Sequence, residues 1–471
     1  MQRSTKIVAT LGPVSSSEQV IETLARAGAN LFRLNFSHGA HEEQARRVQA
    51  IRSVEQRLGR PIGILADLQG PKYRIGKLDA PLSLEAGQQV CFYLPDQPAP
   101  ELDGNIPAIP LPHADIFASL EPKSTLLMDD GKLTFTVTAL GAHHAVARLH
   151  HAGRLSSQKG VNLPDVTLDV TPLTEKDLTD LAFALDQNVE YIALSFVQRA
   201  SDILDAKRRI GGRAQIIAKI EKPSALTEID QIIQATDAVM VARGDLGVEL
   251  PAAQVPAIQK QLVAKCRQVG KPVIVATQML ESMITSPAPT RAEASDVAGA
   301  VFEGADAVML SAESAVGDYP EQAVAMMAEI ACAAEAHVQD NPHDGPARLA
   351  VEPSVYHAVA EAAVRLAQTI EAAAIVAFTA SGNTAVRLAR ERPSQALLVL
   401  SPETAVERRL SLLWGTQTAH QDETSYEQAV DEAVALIKQR GLARTGESIV
   451  LVSGMPFGLA GTTNALRVVT I

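Results

Sequence analysis

The strongest constraint on this chain is a rhythm. Short apolar runs rich in Val, Ile and Ala alternate with amphipathic stretches of helical period. Before residue 69 the runs are Lys6–Gly12, Ala29–Ser37 and Pro61–Asp67, separated by helical patterns over Ser16–Ala27 and His41–Leu58. After residue 163 they are Glu190–Phe196, Gln215–Ile220, Ala238–Ala242, Lys271–Thr277 and Asp306–Ser311. Strands that alternate with helices pair in parallel. Three runs before the break and five after it make eight, which predicts a TIM (β/α)8 barrel with its chemistry at the C-terminal ends of the strands.

Between the two halves helical periodicity nearly vanishes. Alternating strand patterns take over at Gln88–Leu94, Ser124–Met128, Leu133–Leu140 and Ala145–His150, with Asp129-Asp130-Gly131 as a hairpin signal. This reads as a small β-barrel lid domain, 69–163, inserted into a catalytic barrel formed by 1–68 and 164–340. A linker bearing Pro and Gly then leads to an open α/β domain over 347–471, with a helix at Ser354–Gln368, a strand at Ala372–Phe378, a helix at Asn383–Arg390 and a strand at Ala396–Leu400. Several domains are expected anyway, because 471 residues exceed what one core organises.

Composition removes several classes of function. A net charge of −12 disfavours nucleic acid as a partner. Cys91, Cys266 and Cys332 lie far apart without metal-ligand spacing, as in a reducing compartment. There is no apolar leader at Met1–Val8, and the longest uncharged run, Ser448–Leu466, is broken by Gly, Pro, Ser and Asn. No membrane association and a cytoplasmic setting are therefore expected. Neither a G-x-G-x-x-G fingerprint nor a G-x-x-x-x-G-K-[ST] loop is present.

The expected strand ends carry the chemistry. In Lys219-Ile-Glu221 the ammonium and the carboxylate project to one face of a strand. The next strand finishes in Arg243-Gly244-Asp245, expected as the start of a loop. An apolar strand rarely carries both a Lys and a Glu on one face unless they are paired or used. Glu221 and Asp245 offer hard oxygen ligands for Mg²⁺ or Mn²⁺, while Arg33, Arg74, Lys159 and Lys219 are placed to converge on phosphate oxygens. Asn35, Ser37, His38, Asp67, Lys72, Ser195, Phe196, Thr277, Ser311 and Glu313 complete the ring. The composite describes positioned phosphoryl transfer.

The same residues carry a resemblance to pyruvate kinase. The matching stretches are Lys6–Pro13, Arg33–Gly39, Asp67–Lys72, Lys159–Pro164, Lys219–Glu221, Val241–Gly247, Ala276–Ser282, Pro289–Glu293 and Gly317–Pro320, in the family's order. The C-terminal unit resembles the family mainly in layout, with Thr379–Ala385 and Gly461–Asn464 as its best points. The resemblance implies transfer of a phosphoryl group from phosphoenolpyruvate to ADP, giving pyruvate and ATP in the last step of glycolysis. It implies that Lys219 stabilises the migrating phosphoryl group and that Glu221 and Asp245 ligate the metal. Arg33, Gly244, Asp245 and Thr277 match the phosphoenolpyruvate contacts. Asn35, Phe36, Ser37, His38, Arg74 and Lys159 match the nucleotide side, and Ser311 and Glu313 match a cluster that relays a proton to the enolate.

Many relatives need K⁺, held by Asn, Ser, Asp and Thr, with a Glu nearby. Here Asn35, Ser37 and Asp67 remain, but Leu68 replaces the Thr and Lys72 the Glu. The Lys72 ammonium is expected to stand in for K⁺, making the cation unnecessary. Thr379, Ser381, Gly382, Asn383 and Thr384 form a small-residue turn at a helix start, suited to a phosphorylated-metabolite effector. The resemblance further implies an allosteric homotetramer. The competing enzyme reading is a metal-dependent aldolase or lyase on a similar barrel, which has no need of Arg74, Lys159 or a lid. A silent metabolite sensor would not need Lys219 and both carboxylates.

Overall fold

The structure is a computed structural model, and it describes residues 3–97, 106–166, 171–350, 352–422, 425–458 and 462–471. Eight parallel strands close into a barrel: β1 Lys6–Leu11, β2 Leu31–Asn35, β3 Gly63–Asp67, β4 Tyr191–Leu194, β5 Gln215–Ile220, β6 Ala238–Ala242, β7 Val273–Ala276 and β8 Ala307–Leu310. Each pairs with its neighbour in chain order, and β1 closes on β8 with Lys6 opposite Ala307 and Ala9 opposite Leu310. β3 and β4 pair directly although the insert separates them in sequence, with Ala193 beside Asp67.

The strands are buried along nearly their whole length, Gln215 of β5 and Arg33 and Asn35 of β2 being partly exposed, because helices cover the outside and side chains fill the inside. Val8, Leu31, Leu65, Ile217, Met240, Ile274 and Met309 pack within the barrel. Leu412, from the C-terminal domain, joins the same cluster. The floor of the barrel is thus plugged from below. Lys6 Nζ donates to Thr416 O at 2.7 Å and Tyr191 Oη to Arg409 O at 2.7 Å, both tying the floor to that domain.

The insert divides its strands between a six-stranded sheet and a two-stranded sheet, Leu82–Leu84 with Gly153–Leu155, around one core that includes Val90, Phe92, Leu126 and Phe135. The alternating patterns fall where expected, at Gln89–Tyr93, Thr125–Met128, Leu133–Leu140 and His144–Leu149. Strands of two or three residues (Ala108–Pro110 and Val161–Asn162 besides the two-stranded pair) are too short to show any alternation and were not legible. Asp129, Asp130 and Gly131 all take positive φ in the turn that joins two of the strands. Asp and Gly tolerate that region of backbone space.

The C-terminal domain is a five-stranded sheet in the order Thr416–His420, Ala396–Ser401, Ala374–Phe378, Ser448–Ser453, Ala465–Thr470, with only the last strand antiparallel. The architecture is that read from the rhythm: a TIM barrel interrupted by a β domain and followed by a separate α/β domain. No helix among the described residues is long and apolar enough to cross a membrane.

Candidate active site

The C-terminal ends of β2 to β5 bring four charged side chains into one buried cluster. Lys219 is the hub: its ammonium lies 3.1 Å from Asp67 Oδ1 and 3.0 Å from Glu221 Oε1, and it donates to Ser195 Oγ at 2.6 Å. Asp67 accepts a second cation through its other oxygen, from Arg33 Nε at 2.6 Å, and Arg33 Nη1 also donates to Thr10 Oγ1 at 3.1 Å. Glu221 is the first residue past β5, and its contact with Lys219 puts the two on one side of the chain, as the period-two spacing predicts. Parallel register does the rest, setting Asn35 and Ala193 on either side of Asp67.

The electrostatics follow from that packing. Burial works against the charged form of Lys219, yet Asp67 and Glu221 outweigh it and hold its pKa above the ordinary lysine value. Burial likewise opposes ionised Asp67, and Lys219 with Arg33 still hold its carboxyl below the usual range. Glu221 differs. Burial raises its pKa, Lys219 offsets this only in part, and the Asp245 charge pushes the same way as burial. Its Oε2 accepts from Phe196 N at 2.8 Å. A buried carboxylate raised by a second carboxylate is a site where a divalent cation relieves repulsion. Among the described residues no group of three or more His, Cys, Asp or Glu side chains is placed to hold a metal. Two carboxylates with substrate oxygens and water suit Mg²⁺ or Mn²⁺, so the donor set fits.

Asp245 does not lie in a loop. Arg243-Gly244-Asp245 forms the first turn of a helix, Arg243–Glu249, that starts as soon as β6 ends. An acidic residue there complements the helix N-terminus, and polar residues after an apolar run do not by themselves distinguish that from a loop. Arg243 turns away, to Asp296 at 2.6 Å and Thr277 O at 2.7 Å. Gly244 N donates to Thr277 Oγ1 at 2.7 Å. Thr277 has φ 69° and Phe196 φ 55°. A β-branched residue at positive φ is strained, and such strain gathers where side chains are aimed for use.

Glu313 is buried, with Oε2 accepting from Ser311 N at 2.7 Å and Oε1 from Leu280 N at 3.2 Å. Both oxygens serve the backbone, so Glu313 positions the loops after β7 and β8. Of the residues expected to meet a nucleotide, Asn35 Oδ1 accepts from Ser37 N at 3.0 Å, while Phe36 is buried beside His41 and Phe183 and His38 is exposed.

Arg74 and Lys159 do not converge on Lys219 in this conformation. Arg74 Nη1 donates to Gln158 O at 2.8 Å and Lys159 pairs with Asp129 at 2.6 Å, so both lean on the insert that carries them. Lys72 is exposed in a narrow cleft between insert and barrel, lined also by Asp130, Phe196 and Asp245. It makes no ion pair among the described residues and is not seated on Asp67, whose oxygens are taken by Arg33 and Lys219. Leu68 is buried in the barrel core.

Sequence reasoning missed the latch between insert and barrel. Asn162 Nδ2 donates to Glu249 Oε1 at 3.0 Å, and Lys222 pairs with the same oxygen. The run Glu221-Lys222 was its only signal. In the C-terminal domain the small-residue turn does form: Gly382 N donates to Thr379 Oγ1 at 2.9 Å and Thr384 Oγ1 meets Thr463 Oγ1 at 2.8 Å. Arg387, also unforeseen, reaches Thr463 Oγ1 at 3.3 Å. Gly461 lies outside the described residues.

Comparison with known proteins decides the family. The family model for "pyruvate kinase, barrel domain" matches residues 2–324 and that for "pyruvate kinase, alpha/beta domain" matches 357–469. The chain belongs to the pyruvate kinase family. A pyruvate kinase of Agrobacterium vitis is 49% identical over 472 residues, covering 99% of this chain and 98% of the relative. One from Methylorubrum extorquens is 46% identical, covering 99% and 97%. The crystal structure of a pyruvate kinase from Cryptosporidium parvum superposes with a TM-score of 0.90 at 33% identity, covering 99% of this chain and 96% of that one. The family's members are phosphotransferases.

Proposed function

We propose that this enzyme transfers the phosphoryl group of phosphoenolpyruvate to ADP at the Arg33–Asp67–Lys219–Glu221 cluster. The observation that carries the reading is the Lys219 ammonium, buried at the C-terminal end of β5 and held charged by two carboxylates. A terminal phosphate oxygen of ADP attacks phosphorus, the P–O bond to the enol oxygen breaks, and the enolate takes a proton at carbon to give pyruvate. Lys219 and Arg33 neutralise charge on the moving group, a preorganised arrangement that costs no reorientation during the reaction. Glu221 and Asp245 hold a divalent cation, Mg²⁺ or Mn²⁺, which when bound neutralises anionic charge on the substrates. Gly244, Asp245 and Thr277 orient phosphoenolpyruvate, and the Glu313-braced Ser311 loop lies on the proton's route.

The nucleotide is received by Asn35, Phe36, Ser37 and His38, with Arg74 and Lys159 delivered by the 69–163 insert when it closes as a lid and excludes water. The enzyme does not require K⁺: Leu68 provides no oxygen ligand, and the cations at Asp67 are the chain's own. A phosphorylated metabolite at Thr379, Ser381, Gly382, Asn383 and Thr384, a homotetrameric assembly and a cytoplasmic setting complete the reading. Pyruvate release from phosphoenolpyruvate, measured with and without ADP and with and without MgCl₂, tests it. Pyruvate formed only when both are present is expected. Pyruvate formed without ADP would replace the reading by a lyase or phosphatase.

A further inference from the structure

At the end of the barrel opposite the catalytic cleft, the C-terminal domain leaves a cavity of about 840 Å³ against the ends of the barrel helices and the segment that joins the two domains. Its size is that of a small-molecule site, about 300–1,000 Å³. Its wall carries five arginines, Arg267, Arg348, Arg365, Arg390 and Arg392, against three glutamates, in a chain of net charge −12. Two of those glutamates are already engaged. Glu335 accepts from Ser4 N at 2.8 Å and Thr5 N at 2.6 Å, and Glu391 pairs with Arg390 at 2.6 Å.

Arg267 is the decisive residue. It is only 6% exposed, yet no carboxylate touches it among the described residues. Its Nη1 and Nη2 reach a single carbonyl, Ala347 O, at 3.4 and 3.3 Å, and its Nε has no partner among the described residues. Arg392 pairs with Asp306 at 3.1 Å, lies over the Trp414 ring at 4.8 Å and donates to Ala389 O and Gly304 O at 2.8 Å each, but its Nε too is buried and has no partner among the described residues. Taking a guanidinium out of water without a counter-charge costs several kcal/mol. Here burial first, and then the Arg392 and Arg390 charges, lower the Arg267 pKa to about 10, with the Asp306 and Glu391 charges, neither in contact, offsetting this only in part. A cationic wall with spare donors calls for an anion, and planar guanidinium forks bind phosphate and carboxylate in two-point fashion.

We propose that this interdomain cavity binds a small polyanion bearing phosphate or carboxylate groups, held by Arg267 and Arg392 at its base and by Arg348 and Arg365 at its rim. It is separate from the catalytic cleft, at the other end of the strands. It is also separate from the Thr379–Thr384 turn, because the helix Asn383–Arg390 puts the turn and the cavity at opposite ends, about 12 Å apart at the ordinary helical rise.

Calorimetric titration of the full chain with inorganic pyrophosphate, and separately with citrate, both without divalent cation, tests this. The variants are Arg267→Met and the double Arg348→Gln, Arg365→Gln; Lys219→Met and Thr384→Val report on the other two anion sites. Saturable binding of at least one probe is expected, with Kd raised at least about tenfold in the arginine variants and moved less than about twofold in the other two. The probe that binds distinguishes phosphate from carboxylate. Arg348 and Arg365 are exposed, so the double variant decides the matter even if Arg267→Met does not fold. Absence of saturable binding of either probe, binding unchanged in the double variant, or binding abolished by Lys219→Met or Thr384→Val overturns the proposal.

Discussion

Replacing Asp67 by Asn keeps the shape of the site and removes one charge. In the native chain that carboxylate faces Arg33 at 2.6 Å and Lys219 at 3.1 Å, all three being largely out of water. Breaking a buried ion pair by removing one partner costs about 3–5 kcal/mol, because the remaining charge is left uncompensated. Both cations keep a second partner, Thr10 for Arg33 and Glu221 for Lys219. The loss is therefore expected near the lower bound, about 3 kcal/mol at pH 7. The pH dependence has a definite sign. The Asp67 carboxyl is held below the ordinary range in the fold, burial being outweighed by Lys219 and Arg33. Its contribution is fully present above the unfolded value of about 3.9 and disappears as pH falls through the depressed folded value. Native-state hydrogen exchange of the β5 amides reads barrel opening without requiring the three domains to unfold together. The wild-type and Asp67→Asn proteins should differ by about 3 kcal/mol from pH 8 to pH 5 and converge only below about pH 4. A difference under about 1 kcal/mol at pH 7, or one that persists undiminished to pH 3, would refute the reasoning.

Two further outcomes are expected. Lys6 is buried under the barrel, and burial first, with the Arg3 charge next, lowers its pKa to about 7. An unfolded lysine still binds its proton between pH 7 and 10 while the folded one has released it, so stability rises with pH across that window. The offset amounts to about 5 kcal/mol at full effect, and Lys6→Met should remove this slope in urea titrations at pH 7 and pH 10; an identical slope in the variant would count against it. The absence of a potassium requirement is checked by assaying in tetramethylammonium buffer, where the rate should stay within about twofold of that in KCl, given that the ammonium or guanidinium of the chain already neutralises Asp67. A collapse of activity there, restored by KCl, would place a K⁺ site in the protein.

The fold was legible because parallel strands buried on both faces must be nearly continuous apolar runs, and apart from Gln215 and Lys219 every residue of β5 and β6 is Val, Ile, Ala or Met. The pairing of β3 with β4 across the insert followed from counting to eight. The short strands of the insert were not legible, since two residues carry no period. At the site, Lys219 and Glu221 announced themselves by standing charged inside an apolar run. Asp67 was placed with a monovalent cation, yet it is the counter-charge shared by Arg33 and Lys219. Nothing in one strand's pattern reveals which residues of its neighbours lie beside it. For the same reason the two backbone amides that Glu313 holds, those of Ser311 and Leu280, were not legible. The Arg74 and Lys159 side chains depend on how the insert sits, which residue order does not encode.

The most direct test of the central claim is the turnover of Lys219→Met alongside its binding of Mn²⁺ by electron paramagnetic resonance. If Lys219 neutralises the migrating phosphoryl group while Glu221 and Asp245 hold the divalent cation, kcat should fall by about 10³ or more. Mn²⁺ affinity should meanwhile stay within about threefold of wild type, since the variant leaves both carboxylates in place. A variant that turns over at close to the normal rate would contradict the account.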